Sequence, residues 1–456
     1  MKAQGTNRKN RNWIYVWILS WFLLLSNNGC KREECTPTEP SEDKIGRFKD
    51  LLWLTPEYQP GTYRNMDKIA FTRTIPRGNT VYPLPESTRP LTSVEYTLNG
   101  TKTYNIDDFI VRNQVAGLLI IKDGKIVLER YAEGNNAASR WTSYSVAKSI
   151  TATLIGIALK EGKINNINDR VTTYLPRMTG TAYDGVTVRQ LLQMSSGASW
   201  NEDYRDPSSD FRVMFQCAVD GKAGGTMELL SKLTRAGEPG TRFLYNSGET
   251  FLEGEVLKAA LGGESLSAYL SRKIWANMGM ESDAYWLLES DNGAEFGCGN
   301  VSMTLRDYGR FGMFILNDGV VNGTSLLPEG WTAEAGNPAA DSPQCNWGAL
   351  YLPEGYYYPL GYGYNWWALP ETPWGPWDYL SEPLLWGEDT ISAPSTYFPN
   401  LEGTFTAQGV FGQFIHINQK ERMVTVVWST WKDPWIDPKE YEVYCFMNAA
   451  TELLKR

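Results

Sequence analysis

Arg140-Trp141-Thr142-Ser143-Tyr144-Ser145-Val146-Ala147-Lys148-Ser149 lies where a strand pattern gives way to a helix pattern. Upstream, Val115 to Arg130 reads as a hairpin. Two apolar runs, Gly117-Leu118-Leu119-Ile120-Ile121 and Ile126-Val127-Leu128, flank Lys122-Asp123-Gly124-Lys125, whose Asp-Gly pair is a hairpin-turn signal. Downstream, Ile150, Leu154, Ile157 and Ala158 form one apolar stripe at i, i+4, i+7 and i+8, which predicts a helix opening near Ser145 and stopping at Gly162. Residues three apart share a helix face, so Ser145 and Lys148 would point into the same space. A serine hydroxyl needs a neighbouring base to become a nucleophile near neutral pH. At a helix start it also sits in the positive end of the macrodipole, where charge building on an attached acyl oxygen is favoured. Spacing alone carries little, since Ser41-Glu42-Asp43-Lys44 repeats it with no periodic helix behind it.

Composition narrows the chemistry. The chain has 456 residues, 42% hydrophobic and 13% aromatic, enough for a large core. A formal charge of −9 argues against a nucleic-acid partner, which needs clustered Lys and Arg. Its single histidine, His416, would have to serve any Ser-His-Asp triad, and no Gly-x-Ser-x-Gly elbow occurs. A His-rich zinc site is equally unavailable, and Cys217, Cys298, Cys345 and Cys445 show no Cys-x-x-Cys spacing. No metal or cofactor is therefore expected, and a base must come from Lys, Tyr, Glu or Asp. The four cysteines leave two readings open, a disulfide among them or buried free thiols.

The N-terminus reads as an export signal. Lys2, Arg8, Lys9 and Arg11 precede an apolar stretch from Trp13 to Leu25, too short to span a membrane comfortably. Ser26-Asn27-Asn28-Gly29-Cys30 resembles a lipoprotein cleavage site, with Cys30 acylated and Asn27 where such sites usually carry Leu. The expected plan is a signal peptide over 1–29, a flexible tether over 30–46 and one folded domain over 47–456. That places the protein in a bacterial cell envelope, anchored to lipid and with no protein partner evident.

Residues 47 to about 105 read as irregular, with turn signals at Pro60-Gly61 and Pro76-Arg77-Gly78. Short helical segments fill 165–335, including Thr187 to Leu192 and Asp307 to Leu316. Two strands return at Gly412 to Ile417 and Met423 to Trp428, and Pro438 to Lys455 closes as a helix. Strands at both ends with helices between predict an α+β domain: an antiparallel sheet built from distant segments and flanked by helices, plus a mostly helical subdomain within 165–335. His416, on an alternating strand, reads as a partly buried residue bonded to a neighbour rather than a base. Residues 343–398 hold Trp347, Trp366, Trp367, Trp374, Trp377 and Trp386 with Tyr356, Tyr357 and Tyr358. They read either as an aromatic-rich insertion packed over the sheet or as a rim setting substrate choice.

Two further runs bear chemistry. Tyr245-Asn246-Ser247 follows Pro239-Gly240-Thr241-Arg242, and a tyrosine beside an ammonium can have its pKa lowered enough to act as a base. Ala407-Gln408-Gly409-Val410 precedes the Gly412 strand, and glycine there permits close backbone approach and an oxyanion-hole N–H.

The order of these runs resembles the serine β-lactamase and penicillin-recognising family over roughly Gly117 to the C-terminus. It is most similar to the class C-like, 6-aminohexanoate-dimer hydrolase branch. Leu191-Leu192-Gln193-Met194-Ser195-Ser196-Gly197, Tyr245-Asn246-Ser247-Gly248-Glu249-Thr250, Ser302-Met303-Thr304-Leu305-Arg306-Asp307 and Tyr362-Gly363-Tyr364-Asn365-Trp366-Trp367 look like further blocks of that branch. The resemblance implies a β-lactamase/DD-peptidase-like fold with Ser145 as acylated nucleophile, Lys148 as its partner and Tyr245 as proton shuttle. It implies an oxyanion hole from the N–H groups of Ser145 and Val410. The expected substrate contacts are Ser247, Gln408, Gly409, Trp366 and Trp367. Lactamases carry Lys-Thr-Gly where this chain reads Ala407-Gln408-Gly409, so a partner for a penicillin carboxylate is missing. The expected activity is hydrolysis of a small amide or ester through an acyl-enzyme. Alternatives are a weak β-lactamase, a D-amino-acid peptidase, or a non-catalytic envelope sensor binding peptidoglycan fragments or β-lactams.

Overall fold

The computed structural model describes residues 43–98, 102–336, 360–369, 384–386, 389–391 and 398–455. The expected signal segment, Cys30, most of the tether, Cys345 and most of the aromatic-rich stretch lie outside these residues. Strands and helices used below are β1 (Thr72–Ile75), α1 (Ile106–Arg112), β2 (Val115–Lys122), β3 (Lys125–Tyr131), β4 (Arg140–Thr142), α2 (Val146–Lys160), α3 (Ser247–Ala260), β5 (Ala284–Leu287), β6 (Val301–Thr304), α4 (Leu305–Leu316), β7 (Gly361–Tyr362), β8 (Trp367–Ala368), β9 (Phe405–Gly409), β10 (Gln413–Asn418), β11 (Met423–Ser429) and α5 (Asp437–Leu454).

The main sheet has seven antiparallel strands in the order β7-β8-β9-β10-β11-β2-β3, joining the two ends of the chain as the α+β reading expects. Its β2–β3 turn holds Asp123 at φ 50° and Gly124 at φ 76°, the left-handed pair that a two-residue hairpin turn requires. Side chains alternate between faces along each strand. Leu119, Ile121, Ala407, Ile415, Val424 and Val426 enter one core with α2 and α4. Leu118, Ile120, Phe414 and Val427 enter a second core with α1 and α5. Helices therefore cover both faces, and the first core continues into the helical region.

Three expectations change. Within 165–335 the helices are joined by β5 and β6, which with β1 and β4 make a second sheet in the order β1-β5-β6-β4. Both strands are buried on both faces, so the alternation that marks a strand in sequence is erased. Pro60-Gly61 lies inside a helix, Gln59–Arg64, with the proline tolerated in its first turn. The ordered chain reaches back past residue 47, because Asn65 Nδ2 donates to Asp43 Oδ2 at 3.0 Å and Gly46 N–H to Thr62 Oγ1 at 2.8 Å. Cys217, Cys298 and Cys445 are free, buried thiols.

The two sheets are locked together by tryptophan. Trp141 on β4 stacks on Trp428 of β11 with centroids 5.5 Å apart and planes at 8°. Trp141 Nε1 donates to Gln413 Oε1 at 2.9 Å, and Tyr308 Oη on α4 donates to the Trp141 carbonyl at 3.0 Å. The strand leading into the turn from β4 to α2 is thereby fixed against β10 and β11.

His416 is fully buried, with Nε2 2.8 Å from Thr404 Oγ1, and burial pulls its pKa down to about 3. The unfolded chain binds a proton near 6.5 and the folded one does not, so stability present above pH 6.5 is lost as pH falls towards 3. The loss from this group approaches about 1.4 kcal/mol per pH unit in that window. Urea titrations at pH 7.5 and 5.5 should show His416→Gln losing less stability than wild type on acidification. Equal losses would contradict the burial account.

Candidate active site

The turn from β4 to α2 is unusual in its backbone. Ser143 N–H donates to the Val301 carbonyl at 2.9 Å, and Val301 N–H returns a bond to Ser143 Oγ at 3.0 Å. Tyr144 then takes φ 45°, a left-handed value that costs a non-glycine residue free energy. It is held there by Asn300 N–H on its carbonyl at 3.1 Å and by its ring, edge-on to Tyr63 and against Phe411. Ser145 follows at the N-cap of α2, yet its side chain caps no backbone N–H. Its Oγ instead accepts a hydrogen bond from Lys148 Nζ at 3.1 Å.

Lys148 is only 2% exposed. Its ammonium donates to Ser145 Oγ, to Ser247 Oγ at 3.0 Å and to the Cys298 carbonyl at 2.8 Å. Three acceptors match its three protons, so the ion is fully satisfied out of water. Ser145 is therefore not a simple helix cap, and Lys148 is not a solvated lysine.

Ser247 opens α3, which packs on α2. Tyr245 precedes it, and its phenol faces both Ser145 and Lys148. Nζ lies 5.2 Å from the Tyr245 ring centroid. The tyrosine ring stacks on Trp367 at 5.7 Å, and Tyr362 stands edge-on to both. Ser145, Tyr245, Trp367 and Val410 are partly exposed, whereas Lys148 and Ser247 are buried. The reacting hydroxyl thus faces an opening and its supports do not.

Gly409 ends β9 against the Ser143–Ser145 turn. A Cβ placed there would sit 2.5 Å from the Ser143 carbonyl oxygen and 3.1 Å from Ser145 N. Among the described residues, neither the Ser145 nor the Val410 N–H has a protein acceptor.

Two predicted contacts lie elsewhere. Trp366 is fully buried, edge-on to Phe405, and belongs to the core. Gln408 points to the opposite face of the sheet, where Nε2 donates to Tyr444 Oη on α5 at 2.6 Å. The period-two alternation that puts Ala407 on the site face sends Gln408 away from it. His416 holds Thr404 and none of these groups.

The sequence reading missed Glu202, in the loop after Trp200. It is 4% exposed and accepts from Ser247 Oγ at 2.5 Å and Ser247 N at 3.0 Å. It also accepts from Tyr204 Oη at 3.2 Å and from Trp200 Nε1. A lone glutamate in an irregular loop carries no spacing signal.

Charges here act as a unit. Burial pulls the Lys148 ammonium down, but the neighbouring Tyr245, Cys298 and Glu202 outweigh it and its pKa is raised. Burial also raises the Tyr245 phenol above its ordinary value, with Lys148 opposing. The lowered tyrosine pKa expected from the sequence is therefore not found in the resting site, because desolvation outweighs the ammonium. Burial outweighs the pull of Lys148 and of the donors from Ser247 and Trp200, so the Glu202 pKa is raised.

A family model described as beta-lactamase matches residues 106–443. The chain belongs to the β-lactamase family. It is 27% identical over 341 residues to the 6-aminohexanoate-dimer hydrolase of Paenarthrobacter ureafaciens, covering 74% of this chain and 77% of that protein. A candidate 6-aminohexanoate-dimer hydrolase from Bacillus anthracis superposes with a TM-score of 0.72 at 21% identity, covering 92% of this chain and 99% of that one. A class C β-lactamase superposes at 0.51 and 16% identity, covering 76% and 94%. The β-lactamase/DD-peptidase-like fold expected from the motifs is thus the observed one, and this β-lactamase-family member is a serine hydrolase.

Gly409→Ala should lower kcat/KM on a p-nitrophenyl ester by on the order of 10²-fold, since the added Cβ must displace the turn carrying Ser145. An unchanged kcat/KM in a folded variant would contradict the close approach.

Proposed function

We propose that Ser145 attacks the carbonyl of a small linear amide or ester, with Lys148 and Tyr245 moving the proton. The observation that carries this reading is the direction of the hydrogen bonds. Ser145 Oγ accepts from the Lys148 ammonium, so its own proton is left to be donated to Tyr245. In the reactive form the pair has lost one proton, and Tyr245 is a phenolate beside the ammonium.

As the Oγ–carbon bond forms, Tyr245 takes the serine proton and the carbonyl oxygen becomes an anion between the N–H groups of Ser145 and Val410. Tyr245 passes that proton to the leaving nitrogen or oxygen, the carbon–leaving-group bond breaks, and an acyl-enzyme remains. Water then attacks, its proton going to Tyr245 and on to Ser145 Oγ as the acid departs. The sum is amide or ester plus water giving acid plus amine or alcohol.

Substrate choice follows from the walls. The run Ala407-Gln408-Gly409 has Ala407 and Gly409 on the site side and Gln408 turned towards Tyr444, so it offers no cation to a β-lactam carboxylate. Tyr245, Trp367 and Tyr362 supply an aromatic wall suited to an apolar chain. The relative from Paenarthrobacter ureafaciens is named a 6-aminohexanoate-dimer hydrolase, in keeping with that choice. The N-terminal segment would tether the domain to an envelope membrane through Cys30.

Turnover of p-nitrophenyl esters, 6-aminohexanoate dimer and nitrocefin tests this reading. The expected order puts an ester or the linear dimer ahead of nitrocefin, with Ser145→Ala inactive on all and His416→Gln retaining activity. Nitrocefin faster than every other substrate would overturn the substrate class. A folded His416→Gln that loses most activity would overturn the histidine-free chemistry.

A further inference from the structure

We propose that Glu202 is a positioning residue for the nucleophile, holding the Lys148 ammonium in place through the hydroxyl of Ser247. This rests on the reading of Ser145 as nucleophile. The geometry fixes the direction of every bond in the chain. Lys148 can only donate, so Ser247 Oγ accepts from it at 3.0 Å. Ser247 must then send its own proton elsewhere, and Glu202 Oε1 receives it at 2.5 Å. The backbone N–H of Ser247 and the indole of Trp200 both donate to Oε2, and Tyr204 donates to Oε1. With donors on both oxygens, Glu202 meets its surroundings as a carboxylate.

Two other buried glutamates lie on α3, and neither is placed for this role. Glu249 accepts from Ser196 and Asn246 on Oε1, Glu253 accepts from Asn365 on Oε2, and the remaining oxygen of each has no partner among the described residues. Burial raises Glu249 to about 8, which keeps it protonated near neutral pH, and burial raises Glu253 as well. Of the three, Glu202 is the one bonded to a partner of Lys148 and with donors on both oxygens, which makes it the counter-charge placed for the ammonium.

The consequence is specific. A lysine held by Ser145 and the Cys298 carbonyl without the Ser247 arm could swing, and the Ser145 proton would lose its heading towards Tyr245. The groups that face Lys148 are Tyr245, Cys298, Glu202 and Glu253, and those that face Tyr245 are Lys148, Glu202 and Tyr362. Glu202 raises the proton affinity of both Lys148 and Tyr245. Its removal should therefore misplace the ammonium and also shift the titration of the pair to lower pH.

The test is the second-order rate of labelling by a fluorophosphonate probe, followed by intact-protein mass from pH 5 to 10. Full-length wild type, Ser145→Ala, Glu202→Gln, Ser247→Ala and the double variant would be compared. Wild type should label and Ser145→Ala should not. Glu202→Gln should label on the order of 10²-fold more slowly at its plateau, with the acid limb at lower pH than in wild type. Ser247→Ala, which leaves Glu202 held by Trp200 and Tyr204, should also label slowly. The double variant should be no slower than the slower single one, because both act through one chain.

A folded Glu202→Gln with the wild-type rate, or a slower rate with an unmoved acid limb, would overturn the role of Glu202 while leaving Ser145 standing. So would losses that multiply in the double variant. If Glu202→Gln does not fold, a wild-type labelling rate in Ser247→Ala overturns it equally. Equal labelling of wild type and Ser145→Ala would remove the nucleophile, and this role with it.

Discussion

A buried ammonium with all three protons assigned is the constraint on which the site depends. Taking Lys148 out of water would cost several kcal/mol if any proton lacked an acceptor. Its three partners come from three parts of the chain: Ser145 at the start of α2, Ser247 at the start of α3 and the Cys298 carbonyl before β6. Each must arrive with its oxygen aimed at one point. The stacking of Trp141 on Trp428 and the left-handed Tyr144 are the means by which the first arrives there.

The same constraint explains why so many polar groups are buried near α2 and α3. Glu202, Glu249 and Glu253 lie in the interior with one lysine among them. Glu249 is neutralised by taking up a proton, burial raises Glu253, and Glu202 reaches the charge through Ser247. Burial and hydrogen bonding together, rather than any exposed ion pair, set the protonation pattern from which the chemistry starts.

Much of this was legible in the sequence, and the reasons differ by element. The β2–β3 hairpin announced itself through Asp123-Gly124, and α2 through its apolar stripe, because local rules govern both. Ser145, Lys148, Tyr245 and Ser247 were found by motif and context, and the fold brings all four together. Strands β5 and β6 were not legible, since burial on both faces removes their alternation. Gln408 and Trp366 were misplaced for a related reason: the motif marks a neighbourhood, but strand pleating and core packing decide which side chain faces it. Glu202 was invisible because its role arises from distant residues converging on one loop position. The raised Tyr245 pKa could not be read either, as desolvation depends on the folded surroundings and not on the neighbouring lysine alone.

The account stands or falls on a covalent bond to one oxygen. Mixing the protein with a slowly hydrolysed aryl ester, quenching in acid and mapping the acyl group by peptide mass spectrometry measures it directly. The acyl group should be found on the peptide carrying Ser145, assigned to that residue by fragmentation. Acylation at another residue, or turnover with no acyl-protein at any quench time, would contradict the mechanism.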